Sequence, residues 1–442
     1  MYFDKTVHYN EQNFKIFHFV HCNQQNITIF AQKKRYGMEL VSRPNYYSKV
    51  EKFLGKGILI VLTGQRRVGK SYVMKELVQR KKQLEDACVI YIDKEKTSFD
   101  FIQNYKDLVN YVEEHKEPGK HIYILIDEVQ EIEEFERGLR NYYDSPDIDI
   151  IVTGSNSDTL SSDLATQLSG RYVEIFVQGL SYGEFLIFHN LEDNDDAIRK
   201  YINFGGLPGL RPMGLDDPEV IRQYLQGVYN TILVKDIVRR KKVRNVPFLE
   251  NLIKYVGDNM GKPLSATNIQ NYMTSNKNEV SKNLILKYLK ATTEAFLVHN
   301  VTRYNLHGKK LLESNDKYYF GDVGLRNFVV GGRRANDIEK LVENLVYQHL
   351  IRLGYKVTVG QMYATEIDFV ATKGDDTIYV QASYLILEDA TFEREFGNLQ
   401  KISDNYPKYV ISMTPFMDSS KYEGILHIPL VEFLKNLNSA TL

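Results

Sequence analysis

The chain has 442 residues, 43% of them apolar and 26% charged, with a formal net charge of −1 and a pI near 6.8. That length exceeds one ordinary core and predicts roughly three domains, while the neutral balance argues against a highly basic nucleic-acid coat protein. Two well-separated cysteines, Cys22 and Cys88, argue against a disulfide scaffold. With no apolar run near the ~20 residues that span a bilayer and no charged leader, a cytoplasmic protein without membrane contact is expected.

Residues 1–37 lack helical or strand periodicity and read as an N-terminal extension ahead of a cleaner stretch that opens at Met38. A metal site from His18, His21 and Cys22 would need a fourth ligand, and no suitably spaced one follows. From residue 58 onward the pattern changes. Apolar runs at 58–63, 87–92, 121–126, 149–153 and 172–177 alternate with helical spacing, the signature of a parallel sheet wrapped by helices.

The first run is followed by Gly64-Gln65-Arg66-Arg67-Val68-Gly69-Lys70-Ser71 and then by a helical pattern from Tyr72. This is the G-x-x-x-x-G-K-[ST] spacing, in which glycine conformations aim successive N–H groups at phosphate oxygens. Residues Gly64 to Tyr72 are therefore the expected ATP-binding segment, with Lys70 reaching the terminal phosphates and Ser71 ligating Mg2+. The third run ends in Asp127-Glu128, and a buried strand that terminates in two carboxylates calls for a cation partner. Asp127 is the expected second magnesium ligand, and Glu128 is placed to polarise an attacking water.

The fourth run ends at Ser155-Asn156-Ser157, at the carboxyl end of a parallel strand where ligands bind in such sheets. Asn156 or Ser155 is a candidate for the γ-phosphate or the water, against the alternative of a helix cap. Arg171, just before the fifth run, is a candidate charge-stabilising finger, against the alternative of a surface salt bridge.

Taken together, GQRRVGKS, IYILIDEVQ, IVTGSNS and LSGRYVEIFVQGLSYGEF resemble the prokaryotic AAA-superfamily ATPases that carry a C-terminal domain of unknown function. The resemblance implies that Glu128 is the hydrolytic base, that Asn156 and Arg171 sense the nucleotide in the same chain or a neighbouring one, and that the protein forms homo-oligomers. Gly205-Gly-Leu-Pro-Gly209 and the segment from Lys317 to Asp322 are also family-like.

The expected fold is α/β: an ATPase domain at 38–210, a helical and winged-helix module at 211–330, and a small nuclease-like α/β domain at 331–442. In the middle module a long amphipathic stretch, 218–242, ends in Arg239-Arg-Lys-Lys242 and Arg244, cations that serve either the helix dipole or a phosphate. Three helical patterns and two strand-like pieces follow, the order of a winged helix. Lys277, Lys282, Asn283 and Lys287 are its candidate duplex DNA contacts, against a protein-docking module in which Leu284, Ile285, Leu286 and Leu289 pack inward.

The last segment resembles the PD-(D/E)xK nuclease core, with Glu343 and Asp368 in its first acidic positions. Its next strand offers Gln381 and Ser383 where an acid and a lysine are needed, and Lys373 lies beyond a turn. Nuclease chemistry is therefore not expected. The expected function is Mg2+-dependent ATP hydrolysis coupled to movement or docking of the downstream modules; the alternatives are an ATP-gated switch for DNA or a protein client with negligible hydrolysis, and an ATP-dependent nuclease.

Overall fold

The computed structural model describes residues 41–155, 170–275, 280–332, 334, 337–362, 365–414 and 421–436, without the side chains of 313 and 314. The proposed N-terminal extension, Asn156 and Lys277 therefore lie outside the described residues.

Five strands, β1 (Leu59–Thr63), β2 (Ala87–Asp93), β3 (His121–Asp127), β4 (Ile148–Thr153) and β5 (Tyr172–Phe176), form an all-parallel sheet in the order β2-β3-β4-β1-β5. Their near-continuous apolar sequences follow from burial on both faces. Leu59 and Val61 join Ile124, Ile126, Ile150 and Val152 on one face, beneath α3 (Tyr105–His115) and α4 (Phe135–Leu139). Ile60, Leu62, Leu125 and Ile151 point the other way and meet Val73, Met74 and Leu77 of α2 (Lys70–Lys81), while α1 (Pro44–Glu51) adds Tyr46 and Val50.

Beyond the sheet, α5 (Tyr182–His189) starts with a capping box between Ser181 and Glu184, and α6 (Asp195–Phe204) ends at Gly205. The expected 218–242 helix is α7 (Pro218–Thr231), continued by a π-helical run, Ile232–Arg239. Next come α8 (Val246–Asp258), α9 (Ala266–Ser275), α10 (Lys282–Glu294), and the antiparallel strands β6 (Val298–Asn305) and β7 (Lys310–Phe320).

One sheet spans both sides of residue 330: β6 also pairs in parallel with β8 (Lys356–Met362), Arg303 opposite Val359. With β9 (Thr365–Lys373), β10 (Asp376–Ser383), β11 (Lys408–Ser412), β12 (Lys421–Tyr422) and β13 (Ile425–Pro429), the pair completes an eight-stranded sheet ordered β12-β13-β11-β10-β9-β8-β6-β7. The hairpin is thus an edge of the C-terminal sheet rather than a free wing.

Around that sheet lie α11 (Val323–Val329), α12 (Ile338–Arg352), α13 (Asp389–Gln400) and α14 (Leu430–Lys435). Phe248, Leu289, Tyr319, Leu345 and Phe433 belong to the same buried cluster as Ile60 and Leu62, so one apolar core runs from the parallel sheet through the middle helices to the last one. Asp322 pins the junction. Its Oδ2 accepts from Gly206 N at 2.8 Å and its Oδ1 from Leu325 N at 3.0 Å, joining the two glycine-bearing segments that the sequence set apart.

Candidate nucleotide-binding site

The loop 64–69 leaves β1 at its carboxyl end and enters α2 at Lys70. Two backbone positions demand glycine: a side chain at Gly64 would sit 2.1 Å from Val177 O, and Gly69 has φ +103° just before the helix. The first-turn N–H groups of α2 therefore open toward the loop as an anion cradle. Lys70 is buried, and its ammonium donates to Gly64 O at 2.8 Å and Gln65 O at 3.0 Å. Burial lowers the Lys70 pKa, opposed chiefly by the nearby Glu128 carboxylate.

In the strand order, β4 lies between β3 and β1. Thr153, at the end of β4 and fully buried, braces the end of β3: its hydroxyl donates to Asp127 Oδ1 at 2.5 Å and accepts from Glu128 N at 2.9 Å. Glu128 is held in the left-handed region, φ +56°, which turns its side chain off the strand axis. Burial alone would raise its pKa, yet Lys70 and Arg66 hold it below the usual carboxylate range. Ser155 Oγ lies 3.4 Å from Glu128 Oε2.

Asp127 Oδ2 is buried with no hydrogen-bond partner among the described residues. Burial raises the Asp127 pKa against the hydroxyls of Thr153 and Ser71, so the carboxylate faces the serine expected to share a cation with it. An orphaned carboxylate oxygen beside a hydroxyl fits Mg2+, which takes few protein ligands and completes its shell with phosphate and water. No group of three or more His, Cys, Asp or Glu among the described residues is arranged to hold a metal unaided.

Two loop side chains do not face the cradle. Gln65 is buried with its Oε1 against Gly321, and Arg66 makes a two-pronged pair with Asp236 of the π-helical run, Nε to Oδ2 at 2.9 Å and Nη2 to Oδ1 at 3.0 Å. Ser155 Oγ donates to the same Oδ1 at 3.2 Å, and Arg66 Nη2 lies 4.0 Å from Glu128 Oε2. Arg67 and Tyr72 are exposed, and Ser71 is partly buried at the helix start. Sequence spacing gives no signal for Asp236, Thr153 or Arg43. Arg43, 2% exposed, donates from Nη1 to Val68 O at 2.9 Å and ties the loop to the α5 start through Glu184.

Arg171 is not brought to the loop. Leu59 N donates to Arg171 O at 3.1 Å, so the residue sits at the amino end of the sheet, about 13 Å of strand away from where the loop begins. Its guanidinium is exposed and pairs with Asp144, the surface alternative weighed against a finger on its own nucleotide.

Residues 56–186 match an AAA domain family, and residues 195–336 match a domain of unknown function (DUF8612). An uncharacterised protein of Haemophilus influenzae is 33% identical over 402 residues, covering 89% of this chain and 98% of that one. The chain belongs to one family with that protein, and its residues 56–186 carry the match to an AAA domain. A second uncharacterised relative, from Methanocaldococcus jannaschii, is 26% identical over 360 residues, covering 77% of this chain and 78% of that one. Among solved structures, the Walker-type ATPase PABY2304 of Pyrococcus abyssi aligns with a TM-score of 0.48 at 15% identity, covering 65% of this chain and 95% of that one. The matched domain of unknown function, residues 195–336, takes in the middle segment.

The C-terminal acids of this AAA protein also differ from expectation. Lys317, 3% exposed on β7, places its ammonium 3.0 Å from Glu343 Oε1, 2.7 Å from Glu366 Oε1 and 3.8 Å from Asp368 Oδ1. Gln381 Oε1 accepts from Asp368 N at 2.6 Å while its amide donates to Glu395 at 2.9 Å, and Ser383 is buried. Lys373 turns away to Leu353 O. A lysine is thus present among the acids, but it comes from the middle hairpin and occupies the space between the carboxylates.

Proposed function

We propose that the protein binds ATP with Mg2+ at Gly64–Ser71 and hydrolyses it with Glu128 as the base, using the cycle to reposition the middle and C-terminal segments. The observation that carries this is the Thr153 bridge, which fixes Asp127 and Glu128 in one rigid turn beside the buried Lys70. Lys70 and the first-turn amides of α2 would hold the β- and γ-phosphates; Ser71 and Asp127 would hold Mg2+, which supplies charge neutralisation on those oxygens. Glu128, kept ionised by neighbouring cations, accepts the proton of the attacking water.

Coupling is supported by two buried links out of the loop, Arg66 to Asp236 and Arg43 through Glu184 to Arg352 of α12. Arg352 also donates to Gly179 O at 2.9 Å. Both links leave the phosphate loop and end in downstream segments. The Lys317 ion-pair cluster favours docking over cutting, because an ammonium already neutralises the acids a nuclease would offer to metal. Phosphate release with ATP and Mg2+ tests the reading: Glu128→Gln should keep nucleotide binding and lose turnover about 100-fold or more. Equal, very slow release from both proteins would instead support an ATP-gated switch.

A further inference from the structure

The π-helical run 232–239 has two faces. Inward, Asp236 is 1% exposed and holds Arg66 of the phosphate loop; outward, Lys235 and Arg239 face solvent. The chain then passes through the exposed Lys242 and Arg244 along the side of α10, where Lys241 Nζ lies 2.6 Å from Glu294 Oε2 and Asn245 N donates to Tyr288 Oη at 3.3 Å. From α10 itself Lys282 and Lys287 are exposed. Among the exposed residues of 232–250 and 282–294, seven are Lys or Arg and one, Glu250, is acidic. That concentration stands out in a chain of net charge −1. Lys290 is paired with Glu294, but among the described residues none of the other six cations is in an ion pair.

We propose that this junction docks the phosphate backbone of duplex DNA and that Asp236 conveys its occupancy to the nucleotide site. Unpaired lysines and arginines on two abutting elements are what phosphate contacts require. The exposed positions of both stretches carry no aromatic ring, whereas single-strand binding draws on base stacking; this favours a duplex. Phosphates seated on Lys235 and Arg239 press on the same short run whose inner face holds Arg66, and Arg66 in turn lies 4.0 Å from Glu128. A π-helical stretch is a rare conformation that tends to sit at functional sites, and here it lies between partner surface and phosphate loop.

The docking half stands without the ATPase reading; the coupling half rests on it. Anisotropy of a labelled 30-base-pair duplex, titrated at several salt concentrations, should show binding with a log–log salt slope of about −4 to −5. K235E/R239E and K282E/K287E should each weaken it about tenfold or more and reduce the slope by about 2. Asp236→Asn should bind duplex within about twofold of wild type, yet lose the change in ATP turnover that duplex causes. Absence of duplex binding, equal binding of a single strand, or indifference to either charge reversal overturns the docking surface. A duplex effect on turnover that survives Asp236→Asn overturns the coupling, and absence of any turnover in wild type defeats the ATPase reading while the anisotropy result stands.

Discussion

Arg43 and Glu184 are joined by two hydrogen bonds, Nε to Oε1 at 2.8 Å and Nη2 to Oε2 at 2.9 Å, and Arg43 directs its remaining donors to Val68 O, Gln178 O and Gly179 O. A guanidinium so fully satisfied is a fixed post between the phosphate loop and α5. Burial alone would raise the Glu184 pKa, but Arg43, with Arg352 and the Ser181 N–H, brings it down to about 2. A carboxylate whose pKa falls on folding adds stability above its ordinary value, near 4.5, and loses it as the pH falls toward about 2. Glu184→Gln should therefore cost on the order of 3 kcal/mol at pH 7 and less at pH 3, flattening the acid limb of a urea-unfolding series. An unchanged acid limb would show that the pair adds nothing to folding.

Thr153→Val keeps the shape of the strand end while removing one donor and one acceptor. Asp127 would then lose its 2.5 Å hydrogen bond and Glu128 N its 2.9 Å partner. ATP affinity should stay within about threefold, because Thr153 touches none of the loop, while turnover should fall about tenfold, equivalent to ~1.4 kcal/mol of barrier. Equilibrium binding of a fluorescent nucleotide alongside phosphate release separates the two. A variant with wild-type turnover would remove Thr153 from the argument.

The parallel sheet and the phosphate loop were legible in the sequence because their signals are local. Strand residues such as Ile124 and Leu125 are apolar on consecutive positions, which only double-sided burial explains, and the glycine spacing at Gly64 and Gly69 is a backbone requirement written in residue type. What was not legible depends on pairs far apart in the chain. Asp236 lies 170 residues from Arg66, and nothing in its own neighbourhood distinguishes it from a solvated helical acid. Lys317 was similarly hidden, since a nuclease-like lysine is sought two residues after an acid and not on a hairpin upstream of it. Leu286 shows the limit of apolarity as a guide: it reads as packing, yet it is 53% exposed.

Arg171 gives a prediction in the other direction. Its exposed pair with Asp144 is of the kind worth at most about 1 kcal/mol, and its strand end faces away from its own phosphate loop. Arg171→Ala should shift unfolding by less than about 0.5 kcal/mol and leave turnover unchanged in dilute protein. Loss of turnover that appears only as the protein concentration rises would assign the guanidinium to a neighbouring subunit's nucleotide.

Lys317 carries the sharpest test of the C-terminal segment. Its ammonium is buried between Glu343 and Glu366, with Asp368 beyond, and Tyr319 Oη donates to Glu343 at 2.7 Å. The surrounding carboxylates hold Lys317 charged well above the usual lysine range despite its burial, and Asp368 is itself pushed up by burial and by Glu343. Removing one member of such a cluster strands the others, so Lys317→Met should cost about 3–5 kcal/mol in urea unfolding. With the ammonium gone, the acids become a site for an added cation. Mn2+ should restore part of the lost stability of the variant through binding linkage and leave the wild type unmoved, as should EDTA. Plasmid incubated with wild type, ATP and Mn2+ should stay intact. Cleavage abolished by Asp368→Ala would mean that a metal displaces Lys317, and that the cluster is a working site and not a structural ion pair.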